Sequence, residues 1–112
     1  MLTLYGIKNC DTVKKARRWL EDHGIDYQFH DFRQDGLEKS LLDRWLDQLG
    51  WEAIVNKRST TWRNLSDKEK NISTNAQAAK LLLANPTLIK RPVVEKGKTV
   101  LIGFKEAEYS KL

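Results

Sequence analysis

The sequence predicts an α/β fold with a mixed four-stranded sheet. Two short apolar segments flank an amphipathic helix near the N-terminus, and two strand-like segments separated by a glycine lie near the C-terminus. Between them lies a long stretch of helical character. Because 112 residues is near the usual size of one domain, we expect a single domain over residues 1–112 with a helical insertion at about residues 36–85.

The first half of the sheet is predicted from a strand–helix–strand unit. An apolar run over Leu2–Tyr5 is typical of a buried strand, and helical spacing begins at Asp11. One face of this helix carries Val13, Ala16 and Leu20. Gly24 can end the helix, and a second strand is expected at about residues 27–32. Because a helix connects the two strands, they are expected to be parallel.

The region between residues 36 and 85 is predicted to be helical. Its longest helix has an apolar stripe that ends before Gly50 and consists of Leu41, Leu42, Trp45, Leu46 and Leu49. Shorter helical segments are expected over Trp51–Val55, Trp62–Leu65 and Ala76–Leu83. We also expect three tryptophans to be core residues: Trp45, Trp51 and Trp62.

A β-hairpin and a final helix are predicted at the C-terminal end. The turn Lys96-Gly97-Lys98 separates a strand that begins at Val93 from a strand over Thr99–Gly103. The helix is expected over Phe104–Leu112, packed by Phe104, Ala107 and Tyr109. This order of elements is that of the thioredoxin-like fold with an inserted helical subdomain.

Composition excludes several classes of protein. The formal charge of +5 favours anionic partners, but the basic residues form no block, so no nucleic-acid-binding arm is expected. No apolar stretch approaches the roughly 20 residues that span a bilayer, and the N-terminus lacks the pattern of a secretory signal. We expect a cytoplasmic monomer that binds neither membranes nor nucleic acid.

Cys10 is the only cysteine, which excludes an intramolecular disulfide and zinc sites built on several thiolates. It lies between the first strand and the first helix, where unpaired N–H groups and the helix dipole favour a thiolate. Lys8 and Lys14 add positive potential, whereas Asp11 opposes it. The alternative is that Cys10 is a small buried side chain without a chemical role.

The neighbours of Cys10 limit its chemistry. Asn9 and Thr12 can form hydrogen bonds to a sulfur anion or to a bound ligand, and their alternative role is helix capping. Val13 stands where a dithiol reductase carries the second cysteine of a Cys-x-x-Cys pair. A reduction catalysed by Cys10 must therefore take its second thiol from a small molecule or another protein.

Two arginines are candidates for anion binding. Arg91 precedes Pro92 at the entrance to the third strand, where an Xaa-Pro bond is a candidate for a cis peptide. Its guanidinium can hold a carboxylate or an oxyanion through two hydrogen bonds, and the alternative is an exposed edge arginine. Arg58 is either a second anion-binding residue or a solvated charge of the helical insertion.

Metal and nucleotide sites have no support in the sequence. His23 and His30 lack the spacing of a metal site, so we interpret both as structural and expect no metal. The chain has no glycine-rich phosphate loop and no Gly-x-Ser-x-Gly elbow, which argues against nucleotide hydrolysis and serine hydrolase chemistry. We expect no bound cofactor.

Four separated motifs are recognisable along the chain: Tyr5–Thr12, His30–Arg33, Asn56–Ser59 and Asn85–Val94. Together they resemble the arsenate reductase/Spx family, and most closely its YffB-like branch. The resemblance covers essentially the whole chain. It implies a thioredoxin-like fold with a helical insertion, a nucleophilic Cys10, an anion-binding Arg91 and a cis Pro92.

The chain departs from this family at positions that matter for its chemistry. In the arsenate reductases that the chain resembles, three arginines surround the oxyanion. Arg91 matches one of them, but the other two positions align with Asn56 and Gly103, and Arg58 can replace one from nearby. Losing one charged contact to a desolvated oxyanion costs about 1.5 to 3 kcal/mol, which argues against arsenate as the natural substrate. Spx regulators bind RNA polymerase and usually carry a redox pair of cysteines, which Val13 excludes here.

The sequence and the resemblance together predict a glutathione-dependent monothiol thiol-disulfide oxidoreductase. Cys10 would attack a glutathione mixed disulfide, and a second glutathione would release it, with glutaredoxin as a further candidate partner. The substrate-binding residues are predicted to be Arg91, Arg58, Thr12, Asn9, Pro92 and Lys8. Two alternatives remain open: an arsenate reductase that uses glutathione and glutaredoxin, and a Spx-like regulator that binds RNA polymerase.

Overall fold

A computed structural model describes residues 2–112 of the chain. These residues form two compact units, which we call the sheet unit (residues 2–36 and 91–112) and the helical unit (Leu37–Lys90). The helical unit begins where the insertion is predicted to begin. It extends past residue 85, because the 3₁₀ turn Pro86–Leu88 belongs to it.

The sheet unit contains a mixed four-stranded sheet with the strand order β2-β1-β3-β4. The strands are β1 (Leu2–Gly6), β2 (Tyr27–Asp31), β3 (Val93–Lys96) and β4 (Thr99–Ile102). β1 pairs in parallel with β2 and antiparallel with β3, and β3 pairs antiparallel with β4. The predicted parallel unit, the hairpin and the fold class are thereby confirmed.

Within residues 2–112, one helix follows β1, five helices lie between β2 and β3, and the last helix follows β4. They are α1 (Asp11–Asp22), α2 (Lys39–Leu49), α3 (Trp51–Ile54), α4 (Thr60–Arg63), α5 (Asp67–Lys70), α6 (Asn75–Ala84) and α7 (Glu106–Tyr109). α1 and α7 belong to the sheet unit, and α2 to α6 form the helical unit. None of the helices within residues 2–112 is long and apolar enough to cross a membrane.

One face of the sheet packs against α1 and α7. The buried cluster consists of Leu2, Leu4, Val13, Ala16, Leu20, Val94 and Tyr109, so the predicted apolar face of α1 is confirmed. β1 and α1 approach closely at Gly6, where an added Cβ would lie 2.8 Å from Cγ2 of Val13. A side chain at this position would therefore push α1 away from the sheet.

The final helix differs from the expectation. It covers only Glu106–Tyr109 rather than Phe104–Leu112, and the prediction that Ala107 packs against the core is wrong because Ala107 is exposed. Tyr109 is fully buried, and its hydroxyl donates a hydrogen bond of 3.0 Å to the carbonyl of Gly103. Burial raises the pKa of Tyr109, and the charge of Glu108 raises it further.

The helical unit has its own core between α2 and α6. The predicted stripe of α2 is buried at Leu42, Trp45 and Leu46, while its outer members Leu41 and Leu49 are half-buried. The side chain of Asn75 connects three helices, because it accepts the N–H of Trp51 at 3.1 Å and donates to the carbonyl of Leu46 at 3.2 Å.

Three helices of this unit, α4, α5 and α6, begin at side-chain caps. The hydroxyl of Thr74 accepts the N–H of Gln77 at the start of α6. α5 is absent from the helices predicted from sequence, although Ser66 and Glu69 form a reciprocal capping box there. The predicted helix at residues 62–65 lies earlier, over Thr60–Arg63, because Ser59 caps it.

Two of the three tryptophans predicted as core residues are not core residues. Trp45 is fully buried, but Trp51 and Trp62 are half-buried. The ammonium group of Lys57 lies 5.4 Å from the ring centre of Trp51 and 5.6 Å from that of Trp62. Each of these rings therefore has a face that a cation can contact, whereas both faces of a fully buried ring would be covered by the core.

Candidate active site

Cys10 is the residue immediately before α1 and forms its N-cap in an extended conformation (φ −114°, ψ 122°). Its carbonyl accepts the N–H of Lys14 at 3.0 Å, the first hydrogen bond of the helix. The N–H groups of Asp11, Thr12 and Val13 precede that bond and so have no partner within the helix. These groups and the helix dipole attract negative charge, whether it is carried by a sulfur or by a bound anion.

The side chain of Cys10 is half-buried and packs against the core cluster of the sheet unit. Among residues 2–112, Sγ forms no capping hydrogen bond to α1. The flanking residues Lys8, Asn9 and Thr12 are exposed. Cys10 is therefore held by packing and remains partly exposed.

The strand register brings Arg91 and Pro92 to the same edge of the sheet as Cys10. β3 runs antiparallel to β1, and Val93 pairs with Tyr5. The residues before Val93 therefore lie beside the carboxyl end of β1, which the chain leaves to reach Cys10. The same edge receives the carboxyl ends of β2 and β4, because their last residues pair there.

The peptide bond between Arg91 and Pro92 is cis, as predicted. Pro92 is buried, and its carbonyl accepts the N–H of Gly103 at 2.8 Å. Arg91 is half-buried and its Nε atom is fully buried. Arg91 is therefore not the exposed edge arginine that the sequence leaves open as an alternative.

The two positions that align with further family arginines have structural roles in this chain. Gly103 has φ +80°, a conformation that favours glycine, and its carbonyl accepts the hydroxyl of Tyr109. The side-chain oxygen of Asn56 accepts the N–H of Arg58 at 3.1 Å, and the main-chain N–H of Asn56 donates to the carbonyl of Leu88 at 2.7 Å. The three-arginine arrangement is therefore not present at these positions.

Arg58 is exposed and lies in the helical unit, in the turn that precedes α4. Lys57, its neighbour, is absent from the residues that the sequence predicts for the site. No sequence spacing indicates that Lys57 lies between Trp51 and Trp62, since the three residues come from two short helices and a turn.

The motif His30–Arg33 forms a turn after β2. Asp31 is buried, and its carboxylate accepts the N–H groups of Arg33 at 2.8 Å and Gln34 at 3.3 Å. His30 Nε2 lies 2.7 Å from the carbonyl of Gly36, and its ring lies 5.0 Å from the ring of Tyr5. These contacts are those of a structural motif, as the sequence predicts for His30.

The second histidine also has a structural environment. His23 stacks on Trp19 with ring centres 3.8 Å apart, and its Nδ1 lies 2.8 Å from the carbonyl of the same residue. Within residues 2–112, no group of three or more His, Cys, Asp or Glu side chains is arranged to hold a metal ion.

Comparison with known proteins identifies the family. The model of the ArsC family matches residues 5–112. The chain belongs to the ArsC family. Its resemblance to arsenate reductase and Spx proteins is thereby confirmed, and the match includes all the predicted site residues.

Relatives with similar sequences cover nearly the whole chain. An uncharacterized protein from Haemophilus influenzae is 54% identical over 109 residues, which are 97% of this chain and 96% of the relative. The global transcriptional regulator Spx from Streptococcus agalactiae is 32% identical over 110 residues, which are 96% of this chain and 80% of the regulator.

Solved structures show the same fold. The YffB protein has a TM-score of 0.95 at 44% identity, covering 99% of this chain and 97% of that protein. An arsenate reductase (ArsC) related protein from Brucella melitensis has a TM-score of 0.80 at 50% identity, covering 98% and 92%. A glutaredoxin from Archaeoglobus fulgidus, at 17% identity and a TM-score of 0.52 over 99% and 83%, shares the fold alone.

Proposed function

We propose that this member of the ArsC family is a glutathione-dependent monothiol thiol-disulfide oxidoreductase that acts in the cytoplasm. The observation that carries the proposal is the pairing of a single accessible cysteine at a helix N-terminus with Arg91 at the same sheet edge. A lone thiol needs an external thiol to complete a redox cycle. Glutathione supplies that thiol and also carboxylates that an arginine can bind.

The first step transfers glutathione to Cys10. The Cys10 thiolate attacks the glutathione sulfur of a mixed disulfide, a new S–S bond forms on Cys10, and the original S–S bond breaks. The displaced thiolate leaves and takes up a proton from water. The N–H groups at the start of α1 stabilise negative charge at this position in the transition state.

The second step releases the enzyme. The thiolate of another glutathione attacks the glutathione sulfur on Cys10, which forms oxidised glutathione and restores the Cys10 thiolate. The net reaction converts one mixed disulfide and one glutathione into a free thiol and oxidised glutathione. No resolving cysteine is required, which agrees with Val13 at the position of a second thiol.

Arg91 is proposed to bind a glutathione carboxylate, with Arg58 as a second anion-binding residue. Thr12, Asn9 and Lys8 are exposed polar residues around Cys10 and are proposed to contact the peptide part of the ligand. The turn at Pro92 is proposed to position the peptide backbone of the ligand beside Cys10.

The experiment compares two disulfides that differ in charge. Oxidised glutathione carries carboxylates, whereas 2-hydroxyethyl disulfide is neutral. Intact-mass measurement should show an adduct on Cys10 with both, and Cys10→Ser should abolish both adducts. Arg91→Lys should slow the reaction with oxidised glutathione by about tenfold, which is about 1.4 kcal/mol, and leave the neutral disulfide unchanged.

Equal effects of Arg91→Lys on both disulfides would contradict a role in binding carboxylates. Adduct formation by Cys10→Ser would contradict the assignment of the nucleophile. Lys90→Arg, at the exposed neighbouring position, is the matched control because it keeps the charge and changes the side chain outside the proposed site.

A regulatory role is the second candidate, since Spx is 32% identical over 96% of this chain. In that case the chain would bind the α subunit of RNA polymerase without turnover. A pull-down with purified polymerase and the Cys10→Ser variant tests it directly. Capture of the polymerase by this variant, together with absence of adduct formation on the parent protein, would favour the regulator over the enzyme.

A further inference from the structure

The strand β2 forms one edge of the sheet, because β1 is its only neighbour in the strand order of residues 2–112. The direction of its main-chain groups follows from Phe32, whose N–H donates to the carbonyl of Gly6 at 2.9 Å. Main-chain groups alternate in direction along a strand, so every second residue counted back from Phe32 also points to β1. The main-chain groups of Tyr27, Phe29 and Asp31 therefore point away from the sheet.

Two of these three residues keep main-chain groups without a partner. The N–H of Asp31 donates to the carboxylate of Asp35 at 3.0 Å, and its carbonyl accepts the N–H of Asp35 at 2.7 Å. The part of the chain that the structure describes supplies no such partner for the outward groups of Tyr27 and Phe29. An unpaired edge of this kind can pair with an extended segment of another chain.

The side chain of Arg17 covers these two residues on the face of the sheet that packs against α1. The central carbon of its guanidinium lies 4.2 Å from the ring centre of Phe29 and 5.9 Å from that of Tyr27. Its Nε donates to the hydroxyl of Tyr27 at 3.0 Å. Because the guanidinium both stacks on a ring and donates a hydrogen bond, its orientation over the edge strand is fixed before any ligand binds.

Three donor groups of this arrangement have no acceptor among residues 2–112. They are the two terminal nitrogens of Arg17 and the O–H of Tyr27, whose oxygen accepts from Nε. Both side chains are half-buried, so a carboxylate bound to them would be partly shielded from water. A carboxylate can also accept both terminal nitrogens of a guanidinium in parallel. The edge of β2 thus presents main-chain groups for pairing and, beside them, donors for an acidic side chain.

We propose that β2 docks an extended segment of a partner protein that carries a glutamate or aspartate opposite Phe29. In an antiparallel pairing, the residue opposite Phe29 exchanges both main-chain hydrogen bonds with it, and the two Cα atoms lie about 5.5 Å apart. Its side chain lies on the same face as that of Phe29, within reach of Arg17. This docking surface lies wholly in the sheet unit and goes beyond the proposed function.

The surrounding charges restrict the position of the acidic residue. Asp26 precedes the two unpaired residues and Asp35 follows them, so acidic residues at the ends of the docked segment would be repelled. On α1, the exposed Lys14 lies one turn before Arg17 and the exposed Glu21 one turn after it. Pairing of β2 with β2 of a second copy would bring two Arg17 guanidinium groups together. The charges therefore favour a different chain with one central acidic residue.

The experiment titrates isotopically labelled protein with the pentapeptide Thr-Val-Glu-Val-Thr, blocked at both ends, and follows the amide signals by NMR. The signals of Tyr27 and Phe29 should shift more than those of the other residues. An N-methyl group on the glutamate removes its donor to Phe29 and should abolish binding. Replacing the glutamate with glutamine, or moving it to the first position of the peptide, should raise the Kd by about three- to tenfold.

Variants of the protein examine the same contact from the other side. Arg17→Gln should raise the Kd of the glutamate peptide by the same factor and leave the Kd of the glutamine peptide unchanged. Arg18→Gln is the matched control, because it removes an exposed arginine from the same helix and should leave both Kd values unchanged.

Equal effects of Arg17→Gln and Arg18→Gln, or normal binding of the N-methylated peptide, would overturn the inference. So would an absence of shifts at Tyr27 and Phe29 at millimolar peptide. Shifts of these two amides on dilution of the protein alone would identify a second copy as the occupant and contradict a separate partner. Equal Kd values of the glutamate and glutamine peptides on the parent protein would also refute the proposal, whether or not Arg17→Gln folds.

Discussion

The sheet unit and the helical unit obtain their internal order from different interactions. In the sheet unit, distant parts of the chain pair as strands, and apolar side chains pack so closely that Gly6 has no room for a Cβ. In the helical unit, α4, α5 and α6 begin at side-chain caps, and the side chain of Asn75 connects α2, α3 and α6. Substitutions should therefore act mainly through volume in the sheet unit and through individual polar contacts in the helical unit. The exceptions are the core of α2 and α6 and the buried hydroxyl of Tyr109 in the sheet unit.

The largest effect is expected at the exception, Trp45, which is fully buried in the helical unit. Trp45→Ala should lower the free energy of unfolding by about 3–5 kcal/mol, because it removes a large apolar side chain and leaves a cavity. Urea denaturation followed by circular dichroism measures the loss. Trp51→Ala is the control and should have a smaller effect, since Trp51 is half-buried. Equal losses would refute the distinction between the buried and the half-buried tryptophan.

A second substitution examines the close packing of the sheet unit. Gly6→Ala should lower stability by about 1–3 kcal/mol, because the new Cβ would lie 2.8 Å from Cγ2 of Val13. Displacement of α1 should also change the rate at which iodoacetamide alkylates Cys10. The double variant with Val13→Ala should recover part of both effects, and strict additivity would show that the two side chains do not interact.

The buried hydroxyl of Tyr109 gives a smaller effect that depends on pH. Tyr109→Phe should lower stability by about 1 kcal/mol at neutral pH through loss of the hydrogen bond to Gly103. Burial raises the pKa of Tyr109, so the folded protein keeps a proton that the unfolded chain releases above its usual pKa of 10.0. Stability should therefore fall as pH rises above that value.

The phenylalanine variant lacks this dependence, so its disadvantage should shrink between pH 9 and pH 11. Unfolding in urea at several pH values measures both curves. Parallel curves would indicate that Tyr109 does not contribute to the alkaline loss of stability.

The smallest effect is expected at the cap of α6. Thr74→Ala removes the oxygen that accepts the N–H of Gln77 and should lower stability by about 0.5–1 kcal/mol. Thr74→Ser keeps that oxygen and should be nearly neutral. If both variants lose the same stability, the hydroxyl is not the stabilising group.

The sequence predicts the sheet unit well because its signals are local. The apolar run of β1, the helical spacing after Asp11 and the glycine turn between β3 and β4 each lie within a few residues. The predicted buried face of α1 is confirmed, as is the cis peptide before Pro92. The strand register, which brings Arg91 to the edge that carries Cys10, required the structure because it joins distant parts of the chain.

The helical unit is predicted less well for two physical reasons. α5 has four residues and no apolar stripe, so only the spacing of Ser66 and Glu69 indicates it. Trp51 and Trp62 have the spacing of core residues, but their partner is the cation of Lys57. An aromatic residue that binds a cation and one that fills a core look alike in a sequence. The ligand-binding roles of Arg91, Arg58, Thr12, Asn9, Pro92 and Lys8 stay predictions.

The backbone of Gly103 has a consequence for how new activity could arise in this chain. Its N–H and carbonyl connect Pro92 to Tyr109, and its φ of +80° disfavours any residue with a side chain. An arginine at position 103 would have to adopt this positive φ, or the loop would have to change conformation, before the arginine could bind a substrate. Directed evolution toward an oxyanion substrate should therefore recruit its additional guanidinium from a neighbouring position, and selected variants should retain glycine at 103.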